Sequence, residues 1–124
     1  KQLLSATYLI ISFFFIVLLF DKDIAIYSMS FASICDASAA IIGIKYGKIL
    51  NHLNKSIEGS LTFFLVGLSI ISIYISTFAI KLDILHLIIC VFFITLVEFF
   101  TPSKYDNITV PFSSAIILTS LNIL

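Results

Sequence analysis

The sequence predicts an all-α fold, a polytopic transmembrane bundle of about five spans forming one domain over residues 1–124. Three observations lead there. Hydrophobic residues make up 60% of the chain and charged residues only 11%, against about a quarter charged in a soluble domain. A soluble chain this short could not hide so much apolar surface in a single core. The apolar residues also fall into five runs close to the roughly 20 residues that a spanning helix needs. Barrel strands are about 10 residues long and alternate polar with apolar; these runs do neither.

The first run is Leu3 to Phe20, "LLSATYLIISFFFIVLLF". It lacks a small-residue cleavage site, so it is expected to be a span and not a signal peptide. The second, Ile24 to Ile44, carries Asp36, and the third is Leu61 to Ile80. The fourth, Ile84 to Phe100, and the fifth, Ile108 to Leu124, are short and would need neighbouring helices or thinned lipid. Pro102 lies just past the fourth run and helps to stop it. Pro111 is expected in the first turn of the fifth helix, where a missing N–H costs little.

The connections alternate in character. "DKD" and "KLD" are minimal turns, while "KYGKILNHLNKSIEGS" and "TPSKYDN" are longer and polar. Five spans put the longer loops and the N-terminus on one side, with Lys1, Lys45, Lys48, Lys55 and Lys104. The other side holds Lys22 and Lys81. This bias predicts that the longer loops are cytoplasmic. The sequons at Asn54 and Asn107 then face the cytoplasm and read as coincidental.

Several functions are disfavoured at this level. Net charge is zero, so there is no basic footprint for nucleic acid. All seven positive residues are lysines, which lack the bidentate phosphate grip of arginine. Cys35 and Cys90 sit in apolar runs and read as small buried hydrophobes. "GIKYGKI" lacks the spacing and final Ser/Thr of a P-loop. His52 and His86 share no metal-ligand spacing.

Asp36 is the anomaly. A carboxylate at a helix centre costs about 2.5–3.5 kcal/mol on insertion scales. If the helix ends near Ile44, it lies about 12 Å inside and needs a wet cavity, a broken helix or a partner charge. Ala32, Ser33, Ala39, Ala40, Gly43 and Gly47 share its face by i+3 and i+4 spacing. Such a stripe suits close helix packing, and equally a ligand reaching the carboxylate. Glu58, Glu98, Asp106 and Asn107 belong to the same end of the bundle. Each has an ordinary alternative: dipole complement for Glu58, a surface residue for Glu98, a cap for Asp106 and Asn107. Together with Lys48 and Lys55 they suit a divalent cation carrying phosphates, because Mg²⁺ takes oxygen ligands and lysine acts on phosphate as a point charge.

The order "SATYLIISFFFIVLLF", "CDASAAIIGIKYGK", "NKSIEGSLTFFLVG", "TLVEFFTPSKYDNITVP" resembles the dolichol kinase, phytol kinase and diacylglycerol kinase family. Those are integral membrane enzymes that phosphorylate lipid alcohols, typically from CTP. The matching positions are Asp36, Ala37, Ala39, Gly43, Gly47, Lys48, Lys55, Ser56, Glu58, Gly59, Ser60, Glu98, Asp106, Asn107 and Pro111. The resemblance implies a CTP-dependent lipid-alcohol kinase with Mg²⁺, acting on a polyprenol, phytol or diacylglycerol from the cytoplasmic face. Carried over, Asp36 and Asp106 would hold the metal, and Asp36, Glu58 and Glu98 would form the catalytic set, with either glutamate orienting or deprotonating the alcohol. Gly43, Gly47, Lys48, Lys55, Ser56 and Asn107 would bind nucleotide. Family members usually carry further N-terminal helices, so the chain is expected to be the C-terminal, motif-bearing part of a longer architecture or a shortened relative.

The phosphatidate cytidylyltransferases, with an Asp…Gly…Gly-Lys…Glu-Gly pattern, are a nearby alternative. "NKSIEGS" and "DNITVP" favour the kinase side. Transport predicts charges spread through several helices, and the third run has none. A non-catalytic subunit is the remaining alternative.

Overall fold

In a computed structural model, residues 2–50, 53, 55–81, 83–102 and 105–123 are described, with side chains from 6 to 120. Lys1, His52, Asn54 and Lys104 lie outside them. The described residues form five helices: α1 (Gln2–Leu19), α2 (Lys22–Tyr46), α3 (Ile57–Thr77), α4 (Ile84–Phe100) and α5 (Asp106–Ile123). There is no strand among them, only an isolated bridge between Leu50 and Ser56. The all-α reading therefore holds. Two helices, α2 and α3, are long and apolar enough to cross a membrane; Ala6–Leu19 and α4 are shorter apolar helices.

Several boundaries differ from the sequence expectation: α2 runs two residues further at each end, α3 stops at Thr77 and not Ile80, and α3 and α5 start early because polar residues start helices. α3 begins at Ile57, not Leu61, since Ser56 caps it: its Oγ accepts from the Gly59 N–H at 3.0 Å. A capping serine satisfies one of the donors that a helix start leaves orphaned. α5 begins at Asp106, so Pro111 lies inside the helix and not in its first turn. Having no N–H, it cannot bond back to the preceding turn, and it is fully buried there.

α2, α3, α4 and α5 form a ring in which each helix packs on the next, α5 closing on α2, and α1 leans on α5 and α2. The interior is filled by Phe31, Phe63, Ile71, Tyr74, Val91, Ile94, Val110, Ala115 and Leu118. Phe31 and Phe63 meet edge to face at 5.6 Å. Gly67 is what lets three helices converge: a Cβ there would stand 2.9 Å from Phe31 Cζ and 3.0 Å from Val91 Cγ1. Cys35 is in this core, Cys90 packs against it, and both are free thiols. Large apolar side chains are also exposed outside, including Ile10, Phe14 and Leu18 on α1 and Ile84, Leu85 and Phe93 on α4.

α3 ends on a left-handed residue. Ala79 has φ 51°. The Phe78 N–H reaches Tyr74 O and the Ile80 N–H reaches Ile75 O, each at 3.1 Å. This is the closing pattern in which glycine is usual. A Cβ in that conformation costs about 1–2 kcal/mol. Ala79→Gly is expected to raise the midpoint of thermal unfolding, by about 1 kcal/mol of stability; an unchanged or lower midpoint in a circular-dichroism melt contradicts this.

Candidate functional site

Four helix ends meet at one end of the ring: the C-termini of α2 and α4 and the N-termini of α3 and α5. They line a half-open cavity of about 370 Å³. α2 contributes Asp36, Ala39, Ala40 and Gly43; the start of α3 contributes Ser56, Gly59 and Ser60; α4 brings Glu98; α5 brings Asp106 and Asn107. Lys55 enters from the loop before α3.

The small stripe of α2 brings Asp36 here. A Cβ on Gly59 would lie 2.9 Å from the Ala39 carbonyl oxygen and 3.5 Å from Gly43 Cα, so α2 and α3 touch backbone to backbone. Packing and site are thus the same feature: Ala39 and Gly43 permit the approach and also line the cavity. Gly47 does not line it. A Cβ there would run into Gly43 O and meet Ser56 Cβ at 2.7 Å, so this glycine makes room for the α3 cap.

Lys55 organises the charges. Its Nζ lies 2.7 Å from Asp106 Oδ1 and 3.2 Å from Glu98 Oε1, with all three side chains at most 9% exposed. It also donates to the Glu98 main-chain carbonyl, at the C-terminus of α4, where the helix dipole favours a cation. Asp106, in turn, is the first residue of α5, where a carboxylate is favoured. Asp36 is half-buried and within the field of Lys55. Carboxylate oxygens of Asp36, Glu98 and Asp106 lie within 4.8 Å of one another. Three ionised carboxylates against one ammonium leave two negative charges uncompensated in a largely desolvated place. Such a cluster draws a cation or takes up protons.

As donors they fit Mg²⁺, which takes oxygens at about 2.0–2.1 Å and accepts carboxylates together with substrate phosphates. The Lys55 ammonium already occupies a cation's position against two of them.

The remaining expected residues are placed as follows. Glu58 is outside the cavity; its carboxylate accepts from the Ile49 N–H at 3.5 Å and faces Lys48, clamping the α2–α3 loop. The structure therefore brings Glu98, and not Glu58, to the carboxylate cluster. Lys48 is exposed and is not a lining residue. Ser56 and Asn107 line the cavity. His86 lies apart from it, exposed at the start of α4 and 3.7 Å from Asp83. The resemblance includes Ser60 but implies no role for it. Its Oγ is 3.5 Å from Glu98 Oε2, and the signal was its i+4 spacing from the capping Ser56.

Comparison with known proteins gives partial likenesses. The chain is 35% identical over 111 residues to an uncharacterized protein of Rickettsia prowazekii, a match covering 86% of the chain and 53% of that protein. It is 42% identical over 50 residues to the CTP-dependent diacylglycerol kinase 1 of Eremothecium gossypii, covering 39% of the chain and 16% of that enzyme. The chain spans about half the length of the first relative and a sixth of the second. No family model matches the chain, and no solved structure matches it.

Two predictions follow from the geometry. Gly59→Ala drives a methyl onto the Ala39 carbonyl and is expected to cost about 1–3 kcal/mol; a thermal melt in detergent matching the parent's contradicts the close α2–α3 contact. Lys55→Met strands buried carboxylates and is expected to destabilise by about 3–5 kcal/mol. Adding Glu98→Gln and Asp106→Asn should recover more than half of that loss, and a triple variant no more stable than Lys55→Met would show that the ion pairs are not what Lys55 supplies.

Proposed function

We propose that this chain carries the phosphoryl-transfer centre of a CTP-dependent lipid-alcohol kinase embedded in a membrane. The observation that carries the reading is the cavity in which Asp36, Glu98 and Asp106 converge around Lys55 at one end of an apolar bundle. The partial likeness to a CTP-dependent diacylglycerol kinase supports CTP as donor and a lipid alcohol as acceptor in this reading. Exposed apolar side chains around the ring support a bilayer as its solvent. On this reading all five helices span, and the cavity opens toward the cytoplasm, the side that the lysine bias favours. α2 runs on about 15 Å from Asp36 to Tyr46, but the Asp36 carboxylate lies beside the last turn of α4 and the first residue of α5 and opens on the cavity.

In this mechanism the alcohol oxygen forms a bond to the γ-phosphorus of CTP, and the bond from that phosphorus to the CDP oxygen breaks. The hydroxyl proton passes to a carboxylate, which we assign to Glu98, held in place by Lys55 and Ser60. Asp36 and Asp106 would hold Mg²⁺, which when bound offsets the charge of the β- and γ-phosphate oxygens. Lys55 keeps the carboxylates together and lowers the repulsion met by an incoming polyphosphate. Ser56 and Asn107 face the cavity and are assigned to nucleotide contacts, with Gly43 leaving space beside them. Positioning and fixed charge do most of the work in such a site.

The test is transfer of γ-³²P from CTP to diacylglycerol, phytol or a polyprenol by the purified protein. Glu98→Gln is expected to lower turnover by about 10²–10⁴-fold. Asp36→Asn is expected to raise the Mg²⁺ requirement and to abolish most turnover. No labelled lipid with any acceptor overturns the kinase reading; near-normal turnover by Asp36→Asn removes Asp36 from the metal site.

A further inference from the structure

A second hollow, an open groove of about 410 Å³, lies between α3 and α4. Ile57, Leu61 and Phe64 form its wall on α3; Phe92, Leu96 and Phe99 form it on α4. Each trio recurs at three- to four-residue spacing and so makes one stripe along its helix. The groove therefore runs about 10 Å along α3, from the end bearing the carboxylates toward the middle of the bundle. It offers almost nothing polar. The Thr95 hydroxyl in its wall is engaged by the Val91 carbonyl at 2.8 Å.

Its other polar lining residue is Ser60, which also lines the carboxylate cavity. Its Oγ points to Glu98 Oε2 at 3.5 Å. An apolar slot and an acidic chamber thus meet across one side chain. The shape matches a ligand with one hydroxyl on a long aliphatic body. A packed helix would fill the slot but would leave unexplained why it joins the acidic chamber.

We propose that the α3–α4 groove holds the aliphatic chain of the lipid alcohol, with Ser60 marking where its hydroxyl passes to Glu98. The identity of the ligand rests on the kinase reading; the location rests on the groove. Leu61 and Phe92, half exposed at the lip, admit the chain sideways from lipid. Ser60 is then a positioning residue, acting on the hydroxyl and on the Glu98 carboxylate.

The experiment uses the whole protein in phosphatidylcholine nanodiscs with a diazirine-bearing hexadecanol as photoprobe, without CTP. Labelling is expected on the peptides containing residues 57–64 and 92–99, reduced at least fivefold by excess hexadecanol and not by hexadecane. Leu61→Trp should raise the hexadecanol concentration for half-competition at least tenfold, and Ser60→Ala should weaken competition by the alcohol specifically. Labelling spread equally over Ile10, Phe14 and Leu18 of α1, or equal competition by hexadecane, overturns the groove as ordinary lipid contact. If a variant fails to accumulate, the map on the parent protein decides. Because the labelling needs no turnover, a chain that transfers no phosphate but binds hexadecanol here refutes only the kinase reading. A chain that transfers phosphate but is labelled elsewhere refutes only the groove.

Discussion

The buried ammonium of Lys55 is the constraint around which this end of the protein is arranged. It reaches Asp106 at 2.7 Å and Glu98 at 3.2 Å, joining the loop before α3 to the last turn of α4 and the first residue of α5. Desolvating these charges is expensive, and the attraction between them does little more than offset that expense. What the arrangement provides is position. With one member removed, the others are left charged and largely buried. The charges must therefore stay together, and the helix ends bearing them stay with them. The main-chain carbonyl of Glu98 adds a further acceptor, and the dipoles of α4 and α5 have the sign to favour a cation and a carboxylate where each is found.

The second constraint is steric, and it brings the third carboxylate into range. α2 and α3 meet with Gly59 against Ala39 and Gly43. At that contact no side chain intervenes, so the backbones approach as closely as small residues allow. Asp36, one turn before Ala39, is thereby carried to within 4.8 Å of Glu98 and Asp106. Electrostatic cost and steric permission act on the same stretch of α2. This explains how an acid group is tolerated in a helix that is otherwise apolar enough to cross a membrane: it opens on a cavity instead of on lipid or on the sealed core.

The site is also divided by polarity. Ionisable groups occupy the chamber at the helix ends, and an apolar slot lies between α3 and α4, sharing Ser60 with it. An amphiphile with a small polar head experiences such a division as a gradient that orients it. The matched part of the chain corresponds to about half the length of the Rickettsia relative.

Much of this was legible in the sequence. The helical class, the five runs and the collection of Asp36, Lys55, Glu98, Asp106 and Asn107 at one end follow from composition, run length and the alternation of loops. Those signals are local to each run and loop. The starts of α3 and α5 were misplaced because hydropathy marks where apolar residues begin, while a helix begins where Ser56 or Asp106 can satisfy its first turn. The choice between Glu58 and Glu98 was beyond the sequence. Both sit near a helix end, and only the rotation of each helix about its axis turns one into the cavity and the other onto Ile49. The same holds for Lys55, whose partners are 43 and 51 positions away. Sequence determined which charged groups the protein possesses and the end of the bundle that holds them; tertiary packing alone decided which of them touch, because contact between residues so far apart depends on helix rotation and closest approach, and neither leaves a periodic trace along the chain.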